Sequence, residues 1–220
     1  MNDSSLDSGF SDVVVVGGGI AGATMALVLA RAGLTVTVLE QQLSYRDRVR
    51  GEYMQPWGVA EAQHLGISEI LIKAGGLFAR RIVPYDEINS PHAAEATARK
   101  LDELVPGVPG AMCISHPAAC LALSQAAETA GATVIRGIGR PTVTPGSEPA
   151  VTFELDGVEH RLACRLIVGA DGRSSTVRAQ AGSVCCAMSR RTSCPGCWWI
   201  TCLSGLRDTS PSARKAMCIS

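Results

Sequence analysis
Gly17, Gly19 and Gly22 follow the apolar run Val13 to Val16 at G-x-G-x-x-G spacing, and Glu40 closes the next apolar run, Val36 to Leu39. Each position suits one task in holding a phosphate-linked nucleotide. Gly17 permits a tight strand-to-helix turn. Gly19 lets backbone approach a pyrophosphate with no Cβ between them, and Gly22 lets the helix lie close to the strand. Ile20 and Ala21 begin that helix, whose unpaired N–H groups and positive dipole end face the phosphates. The Glu40 carboxylate can accept hydrogen bonds from both ribose hydroxyls of an adenosine. It would repel a 2′-phosphate, which favours FAD or NAD over NADP at this site. The run from Val13 to Ala30 could also span about 27 Å as a membrane helix, at 1.5 Å per residue. The triple glycine and the ordinary soluble flanks argue against a transmembrane segment.

A second glycine-marked turn stands late in the chain. Leu166 to Val168 reads as a buried strand that leads through Gly169-Ala170 to Asp171-Gly172, and Ser175, Val177 and Arg178 complete a D-G-x-x-S-x-V-R arrangement. Gly172 would allow close backbone approach, and Ser174 could cap the following helix. Taken alone, Asp171-Gly172 is equally a plain turn and Arg178 a solvated helix residue. With the first turn upstream, the segment resembles the second fingerprint of the FAD-dependent aromatic hydroxylases. The resemblance implies that Asp171 and Gly172 touch the ribityl-pyrophosphate part of FAD and influence nicotinamide binding. Between the two turns, Asp47-Arg48-Val49-Arg50-Gly51-Glu52-Tyr53-Met54-Gln55-Pro56-Trp57-Gly58 is similar to the segment after the second strand in squalene epoxidases and related monooxygenases. That likeness places Arg48 or Arg50 near the adenosine or pyrophosphate, and Glu52 and Gln55 toward the flavin. The bland reading is a charged loop leading into a helix from about Val59 to Leu65. His116 stands where relatives usually carry an Arg or Gln that approaches FAD, and reads here as a helix-start residue.

The elements that must position these residues follow from periodicity. Met25, Leu27, Val28 and Leu29 fill the first helix, and Gly33 is its C-terminal stop. Val151, Phe153 and Leu155 alternate with polar residues before the Asp156-Gly157 turn, and Arg161 to Cys164 returns as the partner strand. Ala118 to Ala130 predicts a helix, followed by a strand at Thr133 to Ile135. Arg80 to Tyr85 reads as a strand of a substrate domain, while Gly75-Gly76 and Ser90 to Lys100 carry the weakest structural signals. The fold class is therefore α/β: a Rossmann-like FAD/NAD(P)-binding three-layer fold, incomplete, with part of an interleaved substrate domain. Residues 1–10 read as a disordered lead, 11–78 and 116–182 as the FAD-binding domain, and 79–115 as a partial substrate-domain segment. The formal net charge of +0 leaves no basic footprint for nucleic acid. The opening residues lack the layout of a signal peptide, so the sequence reads as cytoplasmic.

Residues 183–220 differ from the rest. Six of the nine cysteines crowd there, at Cys185, Cys186, Cys194, Cys197, Cys202 and Cys218, beside Trp198 and Trp199. Cys194 and Cys197 have C-x-x-C spacing, but no second pair and no tail His accompany them, so no metal site is expected. A frameshift accounts for the composition. Every Cys or Trp codon begins TG, and read two bases later those letters end a codon for Leu, Met or Val. One base lost from a Phe codon would give Ser183 and turn an apolar stretch into this tail.

The family resemblance implies an enzyme in which NADH or NADPH reduces FAD and O2 supplies the oxygen atom inserted into a small organic substrate, at an electron-rich ring or alkene. No side chain is nominated as a catalytic acid or base. Two rivals remain at this point: a non-oxygenating FAD-dependent reductase such as a prenyl reductase, and a non-functional truncated fragment of the FAD fold.

Overall fold
The computed structural model describes residues 9–47, 53–182 and 216–218. Arg48, Arg50, Glu52, the lead through residue 8 and the tail cysteine pair lie outside the described residues. In chain order the elements are β1 (Phe10–Val16), α1 (Ile20–Arg31), β2 (Val36–Glu40), β3 (Tyr53–Met54), α2 (Pro56–His64), α3 (Ser68–Lys73), β4 (Leu77–Ala79), β5 (Arg81–Ile82) and α4 (Pro91–Ala96). There follow β6 (Arg99–Lys100), β7 (Ala111–Cys113), α5 (His116–Thr129), β8 (Thr133–Arg136), β9 (Thr142–Thr144), β10 (Ala150–Leu155), β11 (Val158–Gly169), α6 (Thr176–Gln180) and β12 (Ala216–Cys218).

The main sheet runs β8-β2-β1-β11-β10-β9, and β12 pairs with the C-terminal part of β11. The four strands from β8 to β11 are mutually parallel, whereas β9, β10 and β11 form an antiparallel meander. Successive valines of β1 point to opposite faces. Val13 and Val15 join Val36, Val38 and Val168 under α1 and α5, against Ala23, Ala26, Leu27, Leu123 and Ala127. Val14 and Val16 join Leu39, Ile135 and Ile167 on the other face, packed with Val143, Val151, Phe153, Leu162 and Val177 from the meander and α6. This two-sided burial explains why the central strands read as continuous apolar runs. Among the described residues, no helix is long and apolar enough to cross a membrane.

A second, three-stranded sheet has the order β3-β7-β4, and among the described residues β5 pairs with β6 alone. Several expectations are corrected here. Arg161 to Cys164 and Leu166 to Val168 are one continuous strand, β11, whose first half pairs with β10 and whose second half pairs with β1 and β12. Its polar residue Arg165 sits at an exposed position that breaks the apolar pattern without breaking the strand. The strand expected over Arg80 to Tyr85 contracts to Arg81–Ile82. Ser90 to Lys100 is structured: Ser90 caps α4 by accepting from the Ala93 N–H at 3.2 Å, and β6 follows. The hairpin turn at Asp156-Gly157 uses φ values of 52° and 80°, the left-handed pair of a two-residue connection.

Candidate dinucleotide site
β1 and β11 are neighbours, so the two glycine turns at their C-terminal ends meet. The Ala170 N–H donates to Val16 O at 2.7 Å, and the Gly17 N–H donates to Leu39 O at 2.8 Å. Gly17 has φ +103°, and a Cβ built on it would lie 2.6 Å from the Ala170 carbonyl carbon and 2.8 Å from the Asp171 nitrogen. A Cβ on Gly22 would strike the Gly17 carbonyl oxygen. Gly17 and Gly22 are thus glycines because protein backbone fills the space, as the sequence predicts for the turn and for the close helix. Gly19 differs: its φ is −67°, and nothing stands within 4 Å of where its Cβ would be. Among the described residues nothing in the protein requires glycine there.

The N-terminus of α1 fits an anion. Its N-cap Gly19 supplies no side-chain cap, and the first turn, including Ile20 and Ala21, carries no acidic residue. The positive end of the helix dipole and its N–H groups are left for an external acceptor. Glu40 stands beside this end on β2. Its Oε2 accepts from the Gly18 N–H at 2.6 Å and its Oε1 from the Gln42 N–H at 2.8 Å. The carboxylate is only partly buried and retains acceptor capacity for hydroxyl donors. An open backbone at Gly19, an uncapped helix end and a fixed carboxylate at the neighbouring strand end together fit the pyrophosphate and ribose of a dinucleotide.

On the other side of β1, Asp171 does something the sequence did not indicate. Its carboxylate accepts from Ser175 Oγ at 2.6 Å, from the Thr176 N–H at 2.5 Å and from the Val177 N–H at 3.2 Å. It caps α6 from five residues upstream. The helix N-cap is Ser175, whose Oγ accepts from the Arg178 N–H at 3.0 Å, and not Ser174 as the sequence suggested. Arg178 turns back to donate to Arg173 O at 2.7 Å. Gly172, at φ +83° with open space at its Cβ position, is the part of the turn that remains available. Gln55 is an exposed N-cap residue of α2, and His116 is the exposed first residue of α5, its ring Nε2 3.6 Å from Cys120 Sγ.

Two site residues escaped the sequence reading. The Tyr45 hydroxyl donates to Gly18 O at 2.5 Å, and the Arg136 guanidinium lies 4.7 Å from the Tyr45 ring centroid. Arg136 is the register partner of Glu40 across β2 and β8, and it donates to Ser124 Oγ at 2.7 Å. Burial raises the Tyr45 phenol above its ordinary range, and Arg136 opposes that shift. The available signals were an aromatic residue in the loop after the strand-ending acid and an Arg ending the run Thr133 to Ile135.

Comparison with known proteins agrees with this geometry. The family described as "FAD binding domain" matches residues 11–194. The chain is 32% identical over 195 residues to 6-methylpretetramide 4-monooxygenase of Streptomyces rimosus, covering 80% of this chain and 42% of that protein. A shorter stretch is 53% identical over 57 residues to squalene epoxidase ERG1 of Gibberella zeae, covering 26% of this chain and 11% of that one. Among solved structures, the ternary complex of aklavinone-11 hydroxylase with FAD and aklavinone shares the fold, with a TM-score of 0.62 at 22% identity over 83% of this chain and 36% of that chain. The chain belongs to the FAD-binding-domain family, as the two glycine turns led one to expect, and its relatives there are FAD-dependent monooxygenases. It spans less than half the length of each of these relatives.

Proposed function
We propose that this chain is the FAD-holding part of an NAD(P)H-dependent monooxygenase that hydroxylates or epoxidises a small organic substrate. What carries the reading is the meeting of the two turns: Gly17 packs on the Ala170–Asp171 backbone, so the phosphate-binding turn and the Asp-Gly turn form one edge. Its family membership adds the cofactor. For hydroxylation the balance is R–H + O2 + NAD(P)H + H⁺ → R–OH + H2O + NAD(P)⁺. The nicotinamide supplies the hydride, one oxygen atom enters the substrate and the other leaves as water. FAD held at this edge would supply the redox chemistry between nicotinamide and O2 that side chains cannot perform.

The residues divide the binding work. The α1 end at Gly19, Ile20 and Ala21 takes the pyrophosphate, Glu40 the adenosine ribose, and Gly172 the ribityl side. Arg48, Arg50, Glu52 and Gln55 keep their proposed cofactor-side roles on the strength of the family resemblance, as does Asp171 through its backbone. Residues 79–115 are assigned to the substrate domain, and the protein is placed in the cytoplasm. The segment from Ser183 is proposed to be a frame-shifted reading of a longer apolar sequence. The nucleotide sequence around codon 183 tests that point: an intact printed frame refutes it.

The functional test is a flavin titration followed by NADH or NADPH oxidation in an oxygen electrode. Stoichiometric FAD with substrate-dependent O2 uptake supports the monooxygenase. Nicotinamide oxidation that reduces an alkene without O2 uptake favours the reductase. Absence of FAD binding by the 220-residue chain favours a non-functional fragment.

A further inference from the structure
Resting on the FAD reading, we infer that Gln180 is a positioning residue for the Asp171-Gly172 turn: its side-chain amide docks α6 on the edge of β9, and α6 carries the turn with it. β9 ends the main sheet, with β10 as its strand neighbour. The exposed Gln180 reaches this strand at two points. Its Oε1 accepts from the Val143 N–H at 2.6 Å, and its Nε2 donates to Pro141 O at 3.3 Å. These two backbone groups flank Thr142, and a neighbouring strand would pair through the same two groups. A primary amide offers an acceptor and a donor in one plane, as a peptide unit does. Gln180 thus takes the place of one residue of an additional strand at the end of the sheet. Asn carries the same amide on a stem one methylene shorter, Glu accepts without donating at neutral pH, and Met has the length without either bond.

The turn depends on this contact because the other bonds around it are internal. Asp171 accepts from Ser175 Oγ and from the Thr176 and Val177 N–H groups, Ser175 Oγ accepts from the Arg178 N–H, and Arg178 donates back to Arg173 O. These bonds tie residues 171–178 into one unit and leave its place on the sheet to other contacts. α6 has five residues, too few to hold a helix in place alone. Val177, 1% exposed, packs into the core cluster shared with the meander. Apolar burial is non-directional, so this contact by itself allows the unit to rotate about Val177. Gln180 adds a directional bond at the far end of α6, to a strand 37 residues earlier in the chain. With both attachments made, the orientation of the unit is set, and Gly172 at its head is set with it.

Positioning of this kind separates the two halves of the cofactor. Gly172 stands beyond the end of β11, on the proposed ribityl side, whereas the α1 end and Glu40 take the ADP half. Loss of the Gln180 amide should therefore weaken FAD and spare ADP, a split that a general loss of stability does not produce.

The test uses the full chain and the variants Gln180→Met, Gln180→Glu and Arg31→Ala. Arg31 is the control: it donates to Leu65 O and Gly66 O, away from the turn. FAD affinity is read by flavin fluorescence quenching, ADP affinity by calorimetry, and hydrogen exchange by mass spectrometry. Gln180→Met is expected to weaken FAD about fivefold and ADP by less than about twofold, the scale of one net hydrogen bond. Exchange should speed up across residues 171–182 while α1 and β2 exchange as in wild type. Gln180→Glu keeps the acceptor for Val143 and should lose less FAD affinity than Gln180→Met. Arg31→Ala should leave the ratio of the two affinities unchanged. Unchanged FAD affinity in Gln180→Met, an equal loss for ADP, faster exchange throughout the main sheet, or the same change of ratio in Arg31→Ala each overturns the inference. Wild-type chain that binds no FAD overturns the FAD reading and the role of Gly172 with it, and the exchange data then decide separately whether Gln180 docks α6.

Discussion

Gly17→Ala and Gly19→Ala add the same methyl group two residues apart and should fail in opposite ways. At Gly17 the new Cβ enters a left-handed conformation, φ +103°, and meets the Ala170–Asp171 backbone at 2.6–2.8 Å. The conformational strain is about 1–2 kcal/mol. Forcing apart two packed turns adds about 1–3 kcal/mol. The sum, about 2–5 kcal/mol, corresponds to a drop in Tm of about 5–15 °C for a chain of this length. At Gly19 the backbone is extended, φ −67° and ψ −173°, and the Cβ position is empty to 4 Å. Replacing an N-cap glycine by alanine costs up to about 1 kcal/mol, so the apoprotein should melt within about 4 °C of wild type. Its FAD affinity should nevertheless fall at least about tenfold, because the methyl occupies the approach path of the pyrophosphate. Thermal melts of the ligand-free proteins and flavin titrations measure the two effects independently. A Gly19→Ala protein that binds FAD as wild type, or a Gly17→Ala protein that melts with wild type, refutes the assignment of what fills each space.

Other substitutions read individual bonds. Glu40→Ala removes the acceptor for Gly18 N–H and Gln42 N–H and for the ribose; FAD affinity should weaken by about 1–3 kcal/mol in a flavin titration, and an unchanged value excludes the ribose role. Ser175→Ala deletes both the N-cap of α6 and a donor to Asp171, at a cost of about 1–2 kcal/mol, so Tm should fall by about 3–6 °C; no shift would show that α6 is held otherwise. Asp12 is held below its ordinary carboxylate range first by the Thr35 backbone N–H, then by the Thr35 hydroxyl and Arg165. A depressed folded pKa contributes stability that is present above the unfolded pKa, about 3.9, and lost as pH falls through the folded value. The urea midpoint should therefore decline less steeply below about pH 4 in Asp12→Asn than in wild type, and identical acid limbs would remove Asp12 from the account.

The residues legible in the sequence were those whose task is local. Glycine spacing after a valine run, and an acid ending the next strand, are short-range patterns with one physical meaning each. Tyr45 and Arg136 were invisible because their meeting depends on β8 arriving beside β2, in register with Glu40, from nearly a hundred residues away. The Ser174 assignment failed for a different reason. Two adjacent serines satisfy the same N-cap preference, and only the direction of the Asp171 carboxylate selects Ser175. The split of β11 into two strands came from reading Arg165 as an interruption. On a strand whose outer half is exposed, a single outward Arg is compatible with continuous pairing, and it reaches Asp12 at 3.2 Å.

The site separates groups that hold the protein together from groups left over for a ligand. Gly17 and Gly22 face backbone, and Asp171 spends its carboxylate on Ser175 and the first N–H groups of α6. The Asp171 carboxylate is thus committed to α6, which leaves its backbone for the proposed cofactor-side role. The α1 N-terminus, the empty side of Gly19, the spare lone pairs of Glu40 and the open face of Gly172 have no such commitment in the described contacts. They lie along the C-terminal ends of β2, β1 and β11, with β2 and β8 on one side of β1 in the strand order and β11 on the other. In the proposed reading a dinucleotide follows this line, with its hydroxyls at one carboxylate, two phosphates at one helix end, and a further segment passing the Gly172 turn, whose φ of +83° disfavours any residue but glycine although the space beside it is open. Asp171 acts through α6, holding the turn whose Gly172 is proposed to face the cofactor.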